Sequence, residues 1–99
     1  MNGDAEKKLI SAVLESALSD MQVLNESFEG VRAAEFIMGN RSTHYFSLLD
    51  LDPKEMRKRL YDYANKDTCG ELAETAKSRR AMRINIDEAM RIYGLGIPD

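Results

Sequence analysis

The side chains in this sequence that are able to do chemistry are few and scattered. A single histidine, His44, lies close to Ser42 and Ser47, the residue types from which a general base and a hydroxyl nucleophile are built. A lone histidine near a helix start is far more often a packing or surface residue. The one cysteine, Cys69, precedes a predicted helix whose positive end would favour a thiolate, although an inert thiol is the simpler account. The acidic pairs Asp50 with Asp52 and Asp87 with Glu88 could meet a divalent cation, but helix capping accounts for Asp52 and Glu88, and no Asp-rich calcium loop surrounds them. Gly94-Leu95-Gly96 follows a helix instead of joining a strand to one, so it lacks the context of a phosphate-cradling loop. One cysteine and one histidine make neither an internal disulfide nor a zinc set. The expectation is a protein that is not an enzyme and carries no metal or cofactor.

The basic residues are the stronger candidates. Lys54, Arg57 and Lys58 share one face of a predicted helix, and Arg79, Arg80 and Arg83 lie close together further on, with Arg91 beyond. A helix carrying such residues can lie across phosphates or enter a groove, so Lys54, Arg57, Lys58, Arg79, Arg80 and Arg83 are the expected nucleic-acid contacts. The competing account is a solvated face paired with Glu55, Asp62, Glu71, Glu74 and Asp87. The net charge of −3 opposes coating of nucleic acid by bulk charge, yet residues 1–40 hold only three of the fourteen cations and seven of the seventeen acids. The cations are concentrated in the C-terminal part.

The 99 residues, 43% hydrophobic and 31% charged, suit one globular domain with a single core. No apolar run approaches the roughly 20 residues of a membrane span, and Met1-Asn2-Gly3-Asp4 lacks the basic-then-apolar order of a secretory signal. The expectation is a cytoplasmic protein without a membrane partner.

The elements that must position these residues are helices. Asp4 can cap a first helix in which Ile10, Val13, Leu14, Ala17, Leu18 and Met21 recur at helical spacing. Leu24 and Phe28 extend that stripe, while Asn25 and Ser27 offer a fresh cap. Val31, Ala34, Ile37 and Met38 form a second helix, with Gly39-Asn40 as a left-handed stop. Ser42 can cap a third, apolar through Tyr45, Phe46, Leu48 and Leu49. Asp52, Pro53 and Glu55 make a capping box with proline at the first helical position, Leu51 and Met56 suit a hydrophobic staple, and Met56, Leu60 and Tyr63 turn inward. Lys54, Arg57, Lys58 and Asp62 then face solvent.

Thr68 with Glu71, and Asn85 with Glu88, repeat the capping spacing and open a fifth and a last helix, which Gly94-Leu95 and Pro98 terminate. Thr68 to Ile84 has a weak helix-turn-helix pattern, with Lys77 where the turn prefers glycine and Arg83 where a buried aliphatic belongs. Most of the six methionines fall on inward faces; a dimer seam along the first helix is the alternative use of such residues.

The stretches Ala33-Ala34-Glu35-Phe36-Ile37-Met38 and Tyr45-Phe46-Ser47-Leu48-Leu49-Asp50-Leu51-Asp52-Pro53-Lys54-Glu55-Met56-Arg57-Lys58-Arg59-Leu60 resemble small helical proteins encoded by phages and prophages. Those proteins share an aromatic-rich segment followed by a Leu-Asp-Pro helix start and an arginine soon after. Ser47 and Phe36 depart from the cysteine and tryptophan of that pattern. The resemblance implies phage or prophage origin, a compact helical fold and a DNA-binding regulatory role in the host cytoplasm.

Taken together, the sequence predicts an all-α domain over residues 1–99, a compact bundle of five or six short helices, whose C-terminal half could be helix-turn-helix-like. The leading expected function is binding of DNA through a basic helical face. The alternative is a protein-interaction module that inhibits or adapts a host or phage protein, and the third is a homodimeric or otherwise homo-oligomeric assembly component.

Overall fold

The fold was analysed in a computed structural model that describes residues 2–24, 27–67 and 69–98. The described residues form an all-helical bundle: α1 (Asn2–Met21), α2 (Glu29–Met38), a single 3-10 turn (Asn40–Ser42), α3 (Thr43–Leu48), α4 (Pro53–Asn65) and α5 (Ala73–Tyr93).

α2 is the centre of the bundle, packed between α1 and α5. Its Val31, Ala33, Ala34, Ile37 and Met38 are all buried, and Ile10, Leu14, Ala17 and Met21 of α1 close one side of it. Val13, expected in that inward stripe, is instead exposed on α1. Met82, Ile86 and Ala89 of α5 close the other side, and Phe46 of α3 and Ala64 of α4 complete the core. Met21, Met38 and Met82 are buried and Met56 and Met90 are packed against the same cluster, so the described methionines are core residues.

At α4 the cap and the proline hold, whereas the Glu55 carboxylate pairs with Arg59 one turn on instead of closing a capping box, and Tyr63, expected inward, is exposed. Asp52 is extended and its carboxylate accepts from the Lys54 amide at 3.1 Å, with Pro53 in the first turn. Gly94 is left-handed at φ 67°, and the amide of Leu95 donates back to the Met90 carbonyl at 3.2 Å.

Other helix ends differ from expectation. α1 starts before Asp4, which lies in the first turn, where its charge complements the helix dipole. Phe28 takes the cap position of α2, in the left-handed region at φ 62°, which bulky residues seldom adopt. Asn25 lies outside the described residues, as does the Thr68 of the expected cap further on. Gly39 ends α2 at φ −94°, not left-handed. Ser42 does not cap α3: its buried hydroxyl turns back to donate to the Ile37 carbonyl at 2.7 Å, closing the end of α2.

α5 begins at Ala73 and runs unbroken to Tyr93. Lys77 and Asn85 both lie inside it, so there is neither a helix-turn-helix turn at 77 nor a new helix at 85. The reason at 85 is tertiary. The Asn85 side chain is 4% exposed and donates to the backbone carbonyls of Met21 at 2.8 Å and Val23 at 3.1 Å, so its amide ties α5 to the end of α1 instead of starting a helix.

α3 ends in a Schellman pair: the amide of Leu51 donates to the Phe46 carbonyl and that of Asp50 to the Ser47 carbonyl, both at 3.0 Å. That geometry puts Asp50 at φ 60°. Its side chain is exposed and lies 4.0 Å from the ammonium of Lys7, a solvated pair of little worth. Asp50→Gly is therefore expected to raise stability by about 0.5–1 kcal/mol, by removing the left-handed penalty. A urea titration followed by circular dichroism checks it, and an unchanged midpoint would show that the aspartate is at ease there.

Candidate functional site

The structure distributes the six expected nucleic-acid contacts among different surroundings instead of gathering them on one face. Arg79 is the clearest correction. It is 4% exposed, ion-paired with Glu71, stacked 4.3 Å over the Tyr63 ring, and its Nη1 donates to the Asp67 carbonyl at 3.3 Å. The arginine folds inward where Glu71 and the Tyr63 face offer it a countercharge and a π surface, while its Nε is buried without a hydrogen-bond partner among the described residues. It is a tether between α5 and the α4–α5 connection and has no access to phosphate.

Arg57 is the second departure. Expected in solvent, it is half-buried, with Nε donating to the Ile37 carbonyl at 3.3 Å and Nη2 donating to the hydroxyls of Ser42 and Thr43. A cation at the carbonyl end of α2 is favourably placed against the helix dipole. Burial lowers the guanidinium's pKa below its ordinary value. Lys58 points outward and lies 3.9 Å from Asp62 one turn along α4. Lys54, Arg80 and Arg83 make no ion pair among the described residues, and Arg83 is half-buried.

Two surface depressions collect what remains. The first, about 360 Å³, holds Lys54 and Arg57 together with the end of α2 at Met38 to Asn40 and the C-terminal stretch Gly94, Leu95, Gly96 and Pro98. The second, about 410 Å³, is an open groove between the end of α1 and α5. Val23, Leu24, Ala81 and Ile84 line its apolar part, with Lys77 and Arg80 as cations and Glu74 as the one acid. The two share no residue, so Arg80 and Arg57 belong to separate sites.

The groove has a physical origin. Gln22 and Val23 close α1 through amides donated to the Ser19 and Asp20 carbonyls, and Asn85 then holds the Val23 carbonyl against α5. This carries Val23 and Leu24 out of the core stripe to which their spacing assigned Leu24, leaving each 54% exposed. Ile84, at 43% exposure, stands beside Asn85 on the outward side of α5, one turn beyond Arg80 and two turns beyond Lys77. Helical spacing alone assigns Val23 no role and gives no sign that Ile84 is exposed. The signal that could have found the groove is Asn85, a polar residue inside the apolar period of α5.

The remaining chemistry-bearing residues do not converge. His44 is exposed, edge-on to Tyr45 with 6.3 Å between ring centroids, and Cys69 is exposed with its amide donating to the Asp67 carboxylate. No group of three or more His, Cys, Asp or Glu among the described residues could hold a metal ion, and no helix of the described residues is long and apolar enough to cross a membrane. No protein-family model, curated protein or solved structure matches this chain.

Proposed function

We propose that this protein is a non-enzymatic interaction module of the phage type that residues 33–60 resemble, and that it captures an acidic, amphipathic segment of a protein partner in the groove between the end of α1 and α5. The observation that carries this reading is the grouping of exposed Val23, Leu24 and Ile84 around one groove with two cations, Lys77 and Arg80, that have no ion-pair partner among the described residues. An apolar floor flanked by unpaired cations suits a helix that presents leucines at i, i+3/i+4 and i+7 between glutamates. The two cations outnumber Glu74, so the groove favours acidic over basic partners.

The nucleic-acid reading draws support from the same unpaired cations, but Arg79 is lost to it and Arg57 and Arg80 lie in separate depressions. The two readings part on salt and on apolar residues. A fluorescent helical peptide with the leucine and glutamate pattern above is expected to bind, and Lys77→Glu with Arg80→Glu is expected to weaken it at least about tenfold. Ile84→Ser should also weaken peptide binding while leaving the charge of the groove unchanged, and should leave DNA binding unaffected. Duplex DNA bound more tightly than the peptide, with steep loss between roughly 50 and 200 mM salt, would overturn the proposal in favour of phosphate binding.

A further inference from the structure

The depression at the end of α2 holds an arrangement that the peptide groove does not use. Arg57 is fixed by three oxygens, all of them neutral: a carbonyl and two hydroxyls. None cancels a full charge, and no carboxylate among the described residues pairs with this guanidinium. The only negative potential it meets from its partners is the partial charge of the α2 carbonyl end. A half-buried, desolvated cation of this kind gains from a counter-anion, and its burial already depresses its charged form.

The ligand that would supply that anion has room beside it. Nε and Nη2 are the nitrogens that point into the protein, while Nη1 has no acceptor among the described residues and keeps two N–H donors for a ligand. Lys54, one turn earlier on α4, lines the same depression and its ammonium is equally unpaired. Asp52, the nearest acid along the chain, spends a carboxylate oxygen on the Lys54 amide and does not line the depression. Two cations that line one depression and have no ion-pair partner among the described residues match a dianion. The walls are apolar in part, through Met38, Leu95 and Pro98, so the space extends beyond the bare anion.

We propose that this depression is a binding site for a small phosphate monoester, with the phosphoryl group on Arg57 Nη1 and Lys54 and its organic part against Leu95 and Met38. A monoester carries about −1.5 to −2 at neutral pH, which the two cations balance, whereas a nucleic-acid phosphodiester carries only one charge per phosphate. The inference does not depend on the peptide groove, with which the depression shares no residue.

The test is an NMR titration of the ¹⁵N-labelled full chain with phenyl phosphate, with inorganic phosphate and a duplex oligonucleotide as separate arms. Saturable shifts confined to Lys54, Arg57, Leu95 and Gly96, stronger for phenyl phosphate than for inorganic phosphate, are expected. Lys54→Gln should weaken the binding about tenfold, and because Lys54 is exposed with no side-chain partner among the described residues the fold should be unaffected. Arg57→Lys, which keeps the charge but loses the planar fork, should weaken it further. No saturable shift by about 10 mM phenyl phosphate overturns the proposal. So do shifts spread evenly over Lys77, Arg80 and Arg83, which would indicate diffuse ion attraction, or tighter binding of the duplex at the same residues, which would make this a nucleic-acid surface.

Discussion

Glu71→Ala should destabilise the fold by about 3 kcal/mol, because it leaves a guanidinium buried without its countercharge. The asymmetry of the pair sets the size of the effect. Arg79 is 4% exposed, whereas the Glu71 side chain is 22% exposed, so the carboxylate side of the pair lies nearer water even though its Oε2 is buried without a hydrogen-bond partner among the described residues. Arg79→Met is therefore expected to cost less, about 1–2 kcal/mol, since the methionine keeps an apolar stem against Tyr63 and loses the cation–π contact. Replacing both, Glu71→Leu with Arg79→Met, should be milder than Glu71→Ala alone, as happens when a buried ion pair gives way to apolar packing. Urea unfolding of the parent and the three variants measures these differences directly. A Glu71→Ala variant within about 0.5 kcal/mol of the parent would show that Arg79 reaches water without its partner.

Gly30→Ala is the second large effect, and here two tendencies oppose each other. Alanine is the better helix residue by about 1 kcal/mol, and Gly30 lies inside α2. A methyl group at Gly30, however, would stand 2.7 Å from Cγ of Asn85, a buried side chain held by two carbonyls. Overpacking of this kind costs about 1–3 kcal/mol, and pushing Asn85 off Met21 and Val23 leaves buried polar groups unmet for about 1–3 kcal/mol more. The contact terms exceed the propensity gain, so a net loss of about 2–3 kcal/mol is expected. Asn85→Ser in the Gly30→Ala background should restore part of it by making room. The substitution also has a functional reading: Asn85 holds Val23 in place, so peptide affinity should fall in the variant even where it remains folded. A rise in melting temperature for Gly30→Ala would mean that α2 and α5 are not as close as described.

These two sites show where a single sequence is readable. Asp52-Pro53 announces α4 because the cap, the proline and the first turn are all within a few residues and the carboxylate needs only the Lys54 amide. Gly94 and Leu95 end α5 for the same local reason. The all-helical bundle follows from apolar spacing in α1, α2 and α4, which sets the faces that meet. Asn85 reads as a helix start because the same residue type serves a cap and a buried tertiary bridge, and its acceptors lie more than sixty positions away. Arg79 reads as a surface cation because nothing local distinguishes a guanidinium that will be buried beside Tyr63 and Glu71 from its exposed neighbour Arg80. Ser42 had the composition of a cap, but the open carbonyl of Ile37 drew its hydroxyl backward.

The same logic governs the candidate sites. Lys54 and Arg57 share a helix face, so their nearness was legible; the approach of Gly94 to Gly96 toward them was not, since it depends on where α5 ends in space. Leu24 reads as continuing a core stripe because the helical period has no way to announce that α1 stops at Met21, and Val23 carries no signal of its own.

The measurement that bears most directly on the proposed function is an amide-shift map of the ¹⁵N-labelled protein with the leucine and glutamate helical peptide, alongside the same peptide carrying lysine for glutamate. The account predicts saturable shifts at Val23, Leu24, Lys77, Arg80, Ala81 and Ile84 with the acidic peptide, and much weaker shifts with the basic one. Shifts absent from those residues, or equal for the two peptides, would contradict it.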